Sequence, residues 1–188
     1  MDTLTHALSG AALFSRTGLL GGKKGAIPTK NRMLSVFDWT TGSAFFFGLF
    51  PDIISIGPHF VYSLLFDNSM GFQAVPDFVF TIYKYTHSLL IASALILLVS
   101  LFNRTFALTM LAWPFHIVTD MFTHAPGPFG TRVFYPISDF AFPGSDWWKN
   151  GYLTTLPILI MIVVWIFILW YRIAKSPFSD DQNLISER

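Results

Sequence analysis

Apolar positions along this chain gather into long runs separated by short polar or Pro/Gly-rich breaks. The first run covers residues 3–22, is broken by His6 and Arg16, and closes at Gly21-Gly22. A bilayer needs roughly 20 apolar residues to cross as a helix, so this run predicts a span. A loop follows with Lys23, Lys24, Lys30 and Arg32, and then a second predicted span, 34–52, which holds Asp38 and ends at Pro51-Asp52. Residues 53–85 are aromatic and apolar but interrupted by Pro58, Asp67, Asn68, Pro76 and Asp77. They predict an interfacial segment with a short helix or a re-entrant piece. A third span, 86–102, and a fourth, 105–123, are divided by Asn103-Arg104. Residues 125–151 are too punctuated by Pro and Gly for a helix and too apolar for a free linker. The last run, 152–171, is the cleanest, and a polar tail with Arg172 and Lys175 takes the chain to residue 188. No internal repeat and no second domain is visible.

Composition turns these runs into a class. Only 12% of the residues are charged, against about 25% in soluble domains, while 53% are hydrophobic and 18% aromatic. A water-facing exterior cannot be built from that mixture. The expectation is an all-α integral membrane protein: a bundle of about five transmembrane helices with an interfacial segment and an aromatic loop. A net charge near +1 argues against a nucleic-acid partner, which asks for a basic stripe. The absence of Cys excludes disulfides and thiolate metal sites. Met1-Asp2 opens the chain without a basic n-region, so no cleavable signal peptide is expected. With five spans, the Lys/Arg-rich 23–32 loop, Arg104 and Arg172 with Lys175 fall on one side. The positive-inside rule then puts the N-terminus outside and the C-terminus in the cytoplasm. Lys84, Arg132 and Lys149 fall on the other side.

The candidate chemistry lies in LAWPFHIVTDMFTHA, 111–125. His116, Asp120 and His124 recur at four-residue steps, each turning a helix by only about 40°, so they share one face. Asp2 and His6 repeat the spacing at the first span, Asp52 ends the second and His87 starts the third. All of these are expected on the non-cytoplasmic side. Ionisable groups cost at least about 2.5–3.5 kcal/mol each near the bilayer centre, so they are rare without a partner or a task. Imidazole with carboxylate suits zinc, manganese or iron. The expected ligands are His6, His87, His116, Asp120 and His124 for one or two divalent ions, zinc foremost. Asp52 and Asp2 complete the site or act as base. Asp38, Asp67, Asp77, Asp139 and Asp146 read as caps and turn formers. His59 reads as a histidine hydrogen-bonded within its own neighbourhood. Arg132 either clamps an anionic substrate group or meets lipid headgroups. The aromatic residues of the 125–151 loop, Phe134, Tyr135, Phe140, Phe142, Trp147 and Trp148, form an interfacial belt or a lid over the site.

Several of these pieces occur together in a known family. MDTLTHALSG at 1–10, FPD at 50–52, YTHSLL at 85–90, HIVTDMFTH at 116–124 and YPISDF at 135–140 resemble the membrane-bound metal-dependent hydrolases of bacterial inner membranes. The resemblance implies an α-helical membrane fold, metal-dependent hydrolysis, and a polar site of Asp2, His6, Asp52, His87, His116 and Asp120. Where many relatives carry His-Arg before Thr-His-Ser, this chain reads Ile82-Tyr83-Lys84-Tyr85. The function expected is hydrolysis of an ester or phosphoester, lipid or lipid-linked, at the outer membrane surface. The other classes are a metal or proton transporter, which needs polar groups through the whole bilayer depth, and a scaffold with a structural metal. Membrane lipids are the expected surroundings, and the sequence leaves the oligomeric state open.

Overall fold

The computed structural model describes residues 2–20, 37–66 and 75–174. The basic 23–32 loop, Asp67, Asn68 and Lys175 lie outside the described residues. Among those described, all regular structure is helical.

Helix α1, Thr3–Phe14, begins at Asp2, whose carboxylate accepts from the Thr5 amide at 2.9 Å and so satisfies a free N–H of the first turn. It ends at Ser15 in extended backbone, and Leu19 folds back to the Ala12 carbonyl at 2.7 Å. At 12 residues α1 is about 18 Å long, short of the roughly 30 Å hydrocarbon core. Helix α2, Trp39–Ser55, opens on the Asp38–Thr41 capping box. Helix α3, Gly57–Phe66, departs from α2 at 61°. The bend has a cause in Pro58, which has no N–H to continue the ladder of α2.

Helix α4, Asp77–Thr86, and helix α5, Leu89–Ser100, meet at 53° across His87 and Ser88. His87 ends the first helix and Ser88 caps the next: the Ser88 hydroxyl accepts from the Ile91 amide and donates to the Tyr135 carbonyl at 2.5 Å. The fourth run is expected as one span, but it is interrupted at Leu111 into α6, Arg104–Met110, and α7, Ala112–Thr123. Pro114 leaves the Met110 carbonyl without its helical donor, which places the break there. After α7 the chain is irregular to a 3-10 turn at Trp147–Lys149, and α8, Gly151–Ala174, follows.

Among the described residues, only α8, over Gly151–Tyr171, is by itself long and apolar enough to cross a membrane. The bent pairs α2/α3 and α4/α5 raise the number to three if each is one span, against the five runs expected from sequence. The centre is built by α1, α2 and α7. Gly10 and Gly48 let backbones touch: a Cβ on Gly48 would sit 2.6 Å from the His6 carbonyl oxygen, and one on Gly10 2.7 Å from that of Ala44. Small residues at such crossings let helices pack closely without a hydrophobic drive from lipid. Phe47, Trp113, Ile117 and Met110 fill the core beside this seam. Helix α8 leans on α1 through Ile168 against Ala12 and leaves most of its surface apolar and exposed.

Candidate metal centre

Each residue of the centre is delivered by a helix end or break. Asp52 lies in the last turn of α2, just before the bend, and His87 occupies the corner between α4 and α5. His116 and Asp120 stand one turn apart on α7. One ligand atom from each of these four lies within 4.8 Å of the others. The imidazoles and Asp120 are fully buried, whereas the Asp52 side chain keeps 16% of its surface exposed.

The tautomers follow from hydrogen-bond chemistry. His116 Nδ1 lies 2.7 Å from the Gly48 carbonyl, and His87 Nδ1 lies 3.1 Å from the Tyr83 carbonyl. A carbonyl only accepts, so each Nδ1 carries the hydrogen, and Nε2 is left as the atom that can offer a lone pair to an ion. Those Nε2 atoms make no hydrogen bond. Instead they face carboxylate oxygens: His87 Nε2 is 3.6 Å from Asp52 Oδ1 and 3.5 Å from Asp120 Oδ2. His116 Nε2 is 3.7 Å and 3.1 Å from the same two oxygens. Lone pairs directed at one point repel unless a cation lies between them. Four ligands about 2.1 Å from a tetrahedral ion stand about 3.4 Å apart, and the observed separations bracket that value. The donor set therefore fits a divalent ion, with backbone carbonyls orienting both imidazoles from behind.

His6 and His124 flank this group. His6 Nε2 is 2.9 Å from Asp120 Oδ1, and its ring stacks on His116 with centroids 3.7 Å apart. His124 Nδ1 is 3.4 Å from the same oxygen. Asp120 thus turns one oxygen to His87 and His116 and the other to His6 and His124. Thr3 donates to Asp52 Oδ2 at 2.8 Å. The remaining candidates are used elsewhere. Asp2 caps α1, with its second oxygen on the Thr5 hydroxyl. Arg132 donates to the carbonyls of Gly130 at 2.9 Å and Gly127 at 3.3 Å and stands 3.5 Å from Asp139. His59 stands outside the four-residue group, and its buried Nε2 has no hydrogen bond.

A cavity of about 460 Å³ opens beside the group, with Asp52 and His124 in its wall and Tyr83, Phe129, Trp147 and Trp148 around them. The 125–151 loop is tied down over this cavity. Leu89 N–H donates to the Val133 carbonyl at 2.9 Å, and Ala125 N–H to Asp146 at 3.0 Å. Lys149, 2.7 Å from Asp146, holds that carboxyl below its ordinary range, aided by the Ala125 bond.

A family model for the YdjM inner membrane proteins matches residues 1–179. The chain belongs to this family. Membership of the YdjM family places it in an inner membrane, in accord with the apolar α8. No curated protein and no solved structure matches the chain.

Sequence reasoning missed the residues that aim the ligands. Gly48 acts through its carbonyl, and any residue type has one. Thr119 sets its hydroxyl 3.2 Å from His6 Nδ1. Tyr83, within the Ile82-Tyr83-Lys84-Tyr85 stretch, stacks on His87 with centroids 3.7 Å apart.

Proposed function

We propose that this protein is a metal-dependent hydrolase that works at the membrane surface, holding one divalent cation with His87, His116 and Asp120 and keeping Asp52 beside it as base. The observation that carries the reading is the convergence of oriented, hydrogen-bond-free Nε2 atoms on two carboxylates at the edge of a cavity. A divalent ion, zinc by its donor preference with manganese or iron as the other fits, would supply a Lewis acid that lowers the pKa of water. The chain's own residues do the rest. The carbonyls of Gly48 and Tyr83 fix the hydrogen-bearing Nδ1 of each imidazole and aim its Nε2. His6 and His124 brace Asp120 from its other side. Asp52, the one member not fully buried, lines the cavity and serves as the base that takes a proton from the attacking water, its Oδ2 positioned by Thr3. The aromatic loop shields the site and meets lipid. Read with five spans, the Lys/Arg asymmetry of the loops favours the non-cytoplasmic side for this face.

The test is elemental analysis of purified protein beside Asp120→Ala. About one transition-metal ion per wild-type chain, lost in the variant while membrane insertion persists, is the expected result. Wild-type protein without stoichiometric metal overturns the reading.

A further inference from the structure

The walls of the cavity speak to what enters it. Around Asp52 and His124 stand Tyr83, Phe129, Trp147 and Trp148, and among the described lining residues none is Lys or Arg. The cations on the neighbouring segments are already engaged. Lys84 is 3.2 Å and Arg132 3.5 Å from Asp139, and Lys149 is 2.7 Å from Asp146. The two carboxylates of the group, Asp52 and Asp120, balance one divalent cation, so the loaded site has no net positive charge. A phosphoester would bring an uncompensated anion into an aromatic cavity, and burying an unpaired charge is costly. A carboxylic ester brings none. An apolar cavity of about 460 Å³ is within the range of roughly 300–1,000 Å³ found for small-molecule sites, and an alkyl chain gains by leaving water there.

We infer that this cavity seats the acyl chain of a neutral carboxylic ester, with the ester carbonyl beside Asp52 and the chain between Trp147, Trp148 and Phe129. The inference rests on the hydrolase reading and names its substrate class. In the reaction the water oxygen bonds to the acyl carbon and the bond from that carbon to the alkoxy oxygen breaks. The departing alkoxide takes one water proton, by way of Asp52. The acid formed releases the other proton to solvent and leaves as a carboxylate.

The full chain, solubilised and metal-loaded, is assayed on p-nitrophenyl octanoate, p-nitrophenyl acetate and bis(p-nitrophenyl) phosphate. Each buried methylene adds up to about fourfold, so kcat/KM for octanoate is expected to exceed that for acetate at least tenfold, with the phosphodiester slower than both. In parallel, methyl 8-bromooctanoate is titrated as a fluorescence quencher, which reads occupancy without turnover. Quenching is expected in the wild type and is expected to fall when Trp147→Phe and Trp148→Phe are combined. Phosphodiester cleavage faster than octanoate cleavage overturns the inference and leaves the hydrolase reading standing. Absent quenching, or quenching unchanged in the double variant, also overturns it. Quenching without cleavage of any of the three compounds upholds the acyl seat and overturns the hydrolase reading.

Discussion

Gly48→Ala isolates the seam on which the centre depends. The added Cβ would lie 2.6 Å from the His6 carbonyl oxygen and 2.9 Å from Ala7 Cα. Both are backbone atoms, so no side chain can swing away and α1 must move off α2. Overpacking of this kind costs about 1–3 kcal/mol. Two consequences converge on the metal. The Gly48 carbonyl, 2.7 Å from His116 Nδ1, shifts with the backbone, and His6, which rides on α1, moves relative to Asp120. Disturbing the groups behind a ligand weakens metal binding about 10–100-fold. Gly42→Ala is the control, since nothing lies within 4 Å of a Cβ there. In the same helix that change is neutral or stabilises by up to about 1 kcal/mol. Thermal unfolding and competitive chelator titration measure both quantities. The reasoning is refuted if Gly48→Ala binds metal as tightly as Gly42→Ala, because close α1–α2 approach would then have no bearing on His116.

Further expectations concern the ligands, the loop and the topology. His87→Ala is expected to lower bound metal more than His124→Ala, since only His87 belongs to the four-residue group; elemental analysis decides, and equal loss contradicts that grouping. The Asp146 carboxyl is held below its ordinary value, so its tie to Ala125 is in force at neutral pH and above the ordinary carboxylate value and is lost as pH falls through the lowered one. Acid titration of tryptophan fluorescence should show that step, and Asp146→Asn should remove it. The chain contains no Cys, and Ile137 is 84% exposed, so Ile137→Cys offers a single labelling point. A membrane-impermeant thiol reagent is expected to reach it from the non-cytoplasmic side, and reaction only after permeabilisation would reverse the orientation.

How much of this was legible depended on the scale of the signal. His116 and Asp120 could be paired from sequence because helical periodicity fixes their shared face at any depth. Asp52 and His87 were visible as ionisable residues at the ends of apolar runs. Asp2 was not separable from them: an Asp that caps a helix and an Asp that serves a site at its start are the same letter, and here the Thr5 amide claims it. Arg132 was ambiguous because its partners are loop carbonyls, which no residue pattern announces. The breaks at Leu111 and Ile56 follow from Pro114 and Pro58, yet run length alone treats such segments as continuous or merely interfacial. Hydropathy counts residues and does not register how a missing N–H redirects a helix.

The placement of His6 has a consequence for biogenesis. As the nascent chain leaves the ribosome, α1 emerges before α7, too short to bridge the bilayer and bearing an imidazole whose carboxylate neighbour, Asp120, is not yet synthesised. Until translation passes α7 that histidine lacks the carboxylate it meets in the folded protein, so α1 is made before α7 and locked in place only after it. On the proposed metal reading, ion capture belongs to the end of assembly, when it can act as a latch on a bundle already inserted.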